Sequence, residues 1–72
     1  MKEYAVVYEW GPENWSAYVP DLPGCISTGK TIETVKDSIR DAIRLHLRGM
    51  RLDGDAVPEP TTRVEEILVD VV

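Results

Sequence analysis

Two alternating segments near the start of the chain predict a β-hairpin. Residues 2–10 alternate with a period of two and are rich in aromatic and β-branched side chains, which is typical of a strand. The side chains that share one face are Tyr4, Val6, Tyr8 and Trp10. Gly11–Asn14 interrupts the alternation with Gly and Pro, and Trp15–Val19 resumes it. The pattern therefore predicts two antiparallel strands joined by a turn.

A stiff corner follows the second strand. Pro20 and Pro23 lack the N–H that a sheet needs, and each favours extended backbone in the residue before it. Gly24 can adopt a backbone conformation that other residues avoid. The chain is therefore expected to leave the sheet at Val19 and to form a short third strand over Cys25–Thr28.

A helix is predicted from Thr31 to the Asp53-Gly54 stop. The Thr31 hydroxyl can cap the first turn, and Glu33 suits the positive end of the helix dipole. Apolar positions recur at steps of three and four residues and form one stripe. Those positions, with His46 among them, are Ile32, Val35, Ile39, Ala42, Ile43, His46, Leu47 and Met50.

Arg63–Val72 alternates again and predicts a fourth strand, reached through the extended Pro58–Pro60 connector. The expected fold class is α+β, a two-layer β-β-β-α-β domain spanning residues 1–72. Its single helix packs on a four-stranded mixed sheet with strand order 4-1-2-3, because the helical crossover places the last strand most simply beside the first. One sheet face then has no cover, which predicts a homodimer or a higher homo-oligomer.

Composition and charge narrow the class of protein. Cys25 is the only cysteine, so there is no disulfide framework, and a lone thiol favours a reducing, cytoplasmic setting. Neither a signal peptide nor a membrane-spanning run is expected. The net charge of −5 divides into +2 over residues 31–51 and −7 elsewhere. Such an acidic surface is expected to attract a basic protein.

The candidate catalytic residues favour a protein that is not an enzyme. Two-metal cleavage of a phosphodiester needs converging carboxylates, and Glu9, Asp41 and Asp70 are not expected to converge. Cys25 is either a redox or nucleophilic thiol, which would need a nearby base, or a small packed hydrophobe, and the latter is favoured. His46 is either a proton shuttle or pH-sensitive contact, or a half-buried side chain bonded to backbone, and the pattern favours the latter. No metal or other cofactor is expected, because one histidine and one cysteine cannot set a ligand geometry.

Two surfaces are candidates for binding a macromolecule. The first is the corner with the strand before it, which would lose little entropy on binding a protein. Its predicted contact residues are Trp15, Tyr18, Pro20, Asp21, Leu22 and Pro23. The second is a basic row on the helix, interpreted either as a nucleic-acid-binding ridge or, preferentially, as a solvated face with interleaved acids. Its members are Lys36, Arg40, Arg44, Arg48 and Arg51.

The strand Trp15–Val19, the corner Pro20–Cys25 and the helix start Thr28–Thr31 together resemble the HicB-like antitoxin family. Gly54 and the Pro58–Pro60 connector fit the same family. The resemblance implies a partial RNase H-like fold and an antitoxin function in a type II toxin-antitoxin system. It also implies a partner, a small basic RNA-cleaving HicA-type toxin with a catalytic histidine, whose active site the antitoxin masks.

Many members of that family carry a C-terminal helix-turn-helix or ribbon-helix-helix that binds operator DNA. This sequence reaches Val72 without such a segment, so a solitary HicB-like domain is expected. Operator binding is accordingly not expected. The alternative function is nucleic-acid binding through the arginine row of the helix.

Overall fold

The computed structural model describes all residues from Met1 to Val72. It contains three strands followed by one helix, so the predicted hairpin, third strand and helix are all present. The elements are β1 (Val7–Trp10), β2 (Trp15–Tyr18), β3 (Ile26–Gly29) and α1 (Ile32–Leu52). The α+β class is therefore confirmed.

The strands form one antiparallel sheet in the order β1-β2-β3. β1 is shorter than the predicted strand, since its pairing begins at Val7 opposite Tyr18. Residues before Val7 have no strand partner, because β2 ends at Tyr18 and the chain then enters the corner. Val19, at the start of the corner, donates its N–H to the Cys25 carbonyl at 3.2 Å. Pro20, the next residue, has no N–H to continue the ladder.

The corner between β2 and β3 is closed by its own backbone. The Leu22 N–H donates to the Val19 carbonyl, and the Cys25 N–H donates to the Leu22 carbonyl, both at 3.0 Å. Gly24 has φ of 85°, in the left-handed region that glycine tolerates best. The predicted stiff corner is present, and it turns the Leu22 side chain inward.

Helix α1 starts and stops where the sequence signals predict. Thr31 has extended backbone, and its Oγ1 accepts a hydrogen bond from the Thr34 N–H at 3.1 Å. At the other end Asp53 is the C-cap, and Gly54 with φ of 78° turns the chain away. Inside the helix, Val35 and Ile39 are buried.

The core lies between the sheet and the first half of α1. Its buried members come from β2, the corner and the helix, and they are Ala17, Val19, Leu22, Cys25, Val35 and Ile39. α1 lies over β3 and β2, and much less over β1. The sheet side that faces α1 is therefore well packed at β3 and left open along β1.

The expected fourth strand is absent from the sheet, which has three strands and not four. No residue after Gly54 belongs to a helix or strand, so the order 4-1-2-3 and the partial RNase H-like fold are not confirmed. Two contacts hold the connector at the start of the chain: the Tyr4 hydroxyl donates to the Pro58 carbonyl, and Lys2 Nζ contacts Glu59 Oε1 at 2.7 Å. The residues that follow bond to the corner and do not run along β1.

Candidate partner-binding surfaces

An apolar row crosses the sheet face that α1 leaves uncovered. Val7, Tyr18 and Ile26 are successive cross-strand neighbours, because Val7 pairs with Tyr18 and Tyr18 pairs with Ile26. Ile26 is 68% exposed and Tyr18 is 41% exposed. Side chains alternate across a strand, so these residues point away from the core residue Ala17. The three strands therefore present a small apolar surface on a hydrogen-bonded support.

The predicted contact residues of β2 lie on opposite faces of the sheet. Trp15 shares its face with Ala17, packs against the core and is half-buried. Its ring lies 5.5 Å from the ring of Trp10, centroid to centroid, with a tilted arrangement. Tyr18 points the other way. A single partner surface can therefore include Tyr18 or Trp15, but not both. Tyr18 lies on the face that α1 leaves uncovered.

The corner residues are also divided between surface and core. Pro23 is exposed and Pro20 is half-buried, so both present surface next to the apolar row. Leu22 is completely buried, with 0% of its surface exposed. Its side chain is a core element that fixes the corner, and it offers no area to a partner.

Asp21 bonds the C-terminal part of the chain itself. Its two carboxylate oxygens accept four hydrogen bonds from Thr61 and Thr62, two from backbone N–H groups and two from hydroxyls, at 2.9–3.1 Å. The backbone N–H of Thr62 is the main cause of a lowered Asp21 pKa. The sequence prediction missed this contact. The adjacent threonines after Pro60 were the available signal, because paired N–H and O–H donors suit a carboxylate.

Acid is expected to release this contact. Because the folded-state pKa of Asp21 lies below its ordinary value of 3.8, the ionised form stabilises the folded arrangement. That stabilisation is complete above the ordinary pKa and is lost as the pH falls through the lower, folded value. Amide chemical shifts of Thr61 and Thr62, followed by NMR from pH 6 downward, should show one titration step below about pH 4.

The matched variants for this titration are Asp21→Asn and Asp55→Asn. Asparagine at position 21 keeps one acceptor oxygen, so part of the contact should remain while the pH step disappears. Asp55 is exposed, and its replacement should leave the step unchanged. An identical titration of Thr61 and Thr62 in Asp21→Asn would contradict the assignment of the contact to the Asp21 carboxylate.

The basic row of α1 lies on its exposed side. Arg40 contacts Asp37 at 3.5 Å and Arg44 contacts Asp41 at 3.7 Å, so two of the interleaved acids pair with bases of the row. Such exposed pairs contribute little to stability. Further along the helix, a depression is lined by Arg44, Leu47, Arg48, Arg51 and Leu52. Acids thus accompany the bases in the first half of the row, and nucleic-acid binding stays a prediction.

The remaining candidate residues do not come together. Cys25 is buried in the core, and its burial raises the pKa of the thiol. His46 is half-buried on α1. Glu9 is exposed on β1, opposite Ser16, and Asp41 is exposed on the helix. The structure contains no group of three His, Cys, Asp or Glu side chains placed to hold a metal ion. α1 is also too polar to qualify as a membrane span.

The chain belongs to the HicB-like antitoxin family. Residues 4–70 match the family described as the HicB_like antitoxin of a bacterial toxin-antitoxin system. This match extends beyond the motifs that carry the resemblance, the last of which is Pro58–Pro60, into most of the C-terminal segment. It supports an antitoxin role. No solved structure matches the chain, so the RNase H-like expectation gains no support from one.

Three curated proteins are similar to this chain. A UPF0150 protein of Thermoplasma acidophilum is 35% identical over 51 residues, which cover 71% of each chain. A UPF0150 protein of Helicobacter pylori is 38% identical over 47 residues, 65% of each chain. An uncharacterized 14.9 kDa protein from the rep-hol intergenic region of Haemophilus phage HP1 is 32% identical over 56 residues. That last match covers 78% of this chain and 42% of the phage protein.

Proposed function

We propose that this protein is an antitoxin that binds a small, basic, RNA-cleaving toxin of the HicA type and covers its active site. The observation that carries the proposal is the family match over residues 4–70, combined with the uncovered apolar row Val7–Tyr18–Ile26 on the sheet. Binding alone accomplishes the function, because a toxin whose active site is covered cannot reach RNA. The proposed role therefore requires no catalytic residue and no cofactor in this chain.

The uncovered sheet face has the physical properties of a docking surface. Its apolar centre gains free energy when it is removed from water. The backbone beneath it is fixed by two strand ladders, so the surface loses little entropy on binding. Pro20 and Pro23 extend it at one end with equally stiff backbone. These properties support a protein partner that packs against β2 and its neighbours.

Charge supports a basic partner. The chain outside residues 31–51 carries a net −7, and Glu9 lies beside Val7 on the uncovered side of β1. Complementary charge accelerates encounter and disfavours acidic competitors, whereas the apolar centre supplies affinity. A cytosolic site of action fits this proposal, because the toxin's RNA substrate is located there and the single thiol is buried and unpaired.

Co-expression with a toxin candidate tests the proposed function. The candidate is a short basic protein with one histidine, encoded by a neighbouring reading frame. We expect this chain to restore growth and to copurify with the candidate. Ile26→Glu should weaken the complex on the order of 100-fold, because a charge would enter an apolar interface. Affinity is measured by isothermal titration calorimetry.

Leu45→Glu is the matched control for Ile26→Glu. Leu45 is also 68% exposed, but it lies on α1, away from the uncovered sheet face. This variant should bind as the wild-type protein does. Equal binding by Ile26→Glu and wild type would exclude the sheet face as the docking surface, and a candidate toxin that never binds would argue against the antitoxin–toxin pairing itself.

A further inference from the structure

A groove runs between the open edge of β1 and the helix. Its volume is about 660 Å³, and its floor is largely apolar. The apolar residues that line it from the N-terminal segment and from α1 are Tyr4, Val6, Tyr8, Ile39, Ile43 and Leu47. It exists because α1 packs over β2 and β3, whereas β1 has a strand neighbour on one side only. An unpaired edge of this kind offers backbone donors and acceptors to another strand.

The C-terminal segment, residues 63–72, is a strand-like sequence that nothing covers. Its alternation places Ile67, Val69 and Val71 on one side, and these residues are 73%, 67% and 93% exposed. Leu68, on the other side, is fully exposed. A run of exposed aliphatic residues with high strand propensity is unfavourable in water, and it pairs readily with an open sheet edge.

The segment does not pair with its own β1. The connector has already passed the start of the chain at Tyr4 and Lys2, and the four hydrogen bonds to Asp21 then fix Thr61 and Thr62 at the corner beyond β2. Residues 61–69 contain no glycine, proline, asparagine, aspartate or serine, so a turn back toward β1 directly after residue 62 is disfavoured.

We infer that residues 63–72 of a second copy of this chain fill the groove as a fourth strand along β1. Ile67, Val69 and Val71 enter the apolar floor, and the same exchange in the opposite direction makes a symmetric dimer. The net charges are complementary, −2 for the segment and +3 for Lys36, Arg40 and Arg44 on the helical rim of the groove. Glu65 lies on the same side as Ile67 and can pair with this rim, whereas Glu66 and Asp70 face the other way. Each copy thus supplies the fourth strand of the other copy's sheet, which gives the strand order 4-1-2-3 that a single copy lacks.

This dimer is independent of toxin binding. The added strand extends the sheet at β1 and leaves the uncovered face over β2 and β3 free. The protein alone is therefore sufficient for the test, and a failed toxin experiment would not affect its result.

The mass of the protein in solution tests the inference. Light scattering coupled to size-exclusion chromatography should give a dimer at low micromolar concentration. Val69→Asp should raise the dimer dissociation constant on the order of 100-fold, because it places a charge in the apolar groove. Leu68→Asp is the matched control, since Leu68 lies on the opposite side of the same strand and should change the constant by less than about threefold. A monomeric wild-type protein, or equal effects of the two variants, would overturn the inference.

NMR on a mixture of isotope-labelled and unlabelled full-length protein identifies the copy that supplies the strand. Filtered spectra should show contacts from the methyl groups of Ile67, Val69 and Val71 in one copy to the rings of Tyr4 and Tyr8 in the other. Contacts confined to a single copy would mean that the segment folds back on its own domain, which overturns the exchange. A dimer without any of these contacts would place the interface elsewhere and would overturn it as well.

Discussion

Replacing Leu22 by alanine is expected to leave the protein with little or no remaining stability at room temperature. Leu22 is completely buried under the corner, where its backbone also donates to Val19 and accepts from Cys25. Leu→Ala at a fully buried site lowers the free energy of unfolding by about 2–5 kcal/mol. A domain of this size has roughly 3–5 kcal/mol in total. This one substitution in the corner is therefore expected to remove most of the free energy of unfolding.

Leu45→Ala provides the matched control for this prediction. It is the same chemical change at a position of α1 that is 68% exposed. Alanine has the highest helix propensity, so this variant should retain the wild-type free energy of unfolding within about 0.5 kcal/mol. Urea denaturation followed by circular dichroism measures both variants. Similar midpoints for Leu22→Ala and Leu45→Ala would show that the corner does not depend on this side chain.

Gly29→Ala is expected to destabilise the protein although it adds only one methyl group. Gly29 ends β3 opposite Trp15, and α1 begins a few residues later. A Cβ at this position would lie 2.9 Å from the Val35 backbone nitrogen and 3.2 Å from the Val35 Cα. These atoms belong to helix backbone and cannot rotate away, so α1 must move off the sheet. Overpacking of this kind costs about 1–3 kcal/mol.

Gly49→Ala is expected to raise the free energy of unfolding, the opposite of the effect of Gly29→Ala. Gly49 lies inside α1, and a Cβ there would meet nothing beyond its own helical neighbours within 4 Å. Alanine in a helix interior is more stable than glycine by about 0.5–1 kcal/mol. The two variants differ only in position, and the same urea experiment compares them. Equal stability of Gly29→Ala and wild type would mean that β3 and α1 are packed less closely than the 2.9 Å approach requires.

Much of the fold was predictable because its signals are local. The helix runs from its Thr31 cap to its Gly54 stop, since capping and left-handed glycine are properties of neighbouring residues. The hairpin and the corner follow in the same way from alternation, Pro20 and Gly24. β1 is shorter than its pattern because a strand needs a partner, and the partner leaves at Val19. That requirement cannot be read from the alternating residues themselves.

The candidate site was predictable only in outline. The pattern selected β2 and the corner, and the family match supports an antitoxin role for the chain that contains them. The pattern did not separate the exposed Tyr18 from the buried Leu22, nor did it reveal that Asp21 bonds Thr61 and Thr62. Distinguishing these residues requires the fold of the corner, which turns one side chain inward and leaves its neighbour on the surface.

The sequence by itself determined three strands, one helix, a rigid proline corner and membership of an antitoxin family. Each of these follows from contacts between near neighbours or from residues compared in order. Tertiary structure alone decided that α1 covers β2 and β3 and that Asp21 bonds Thr61 and Thr62. The first outcome depends on how separate elements pack against one another, and the second joins residues 40 and 41 positions apart, so a local pattern carries no information about either. The open groove along β1 follows from the packing of α1 over β2 and β3.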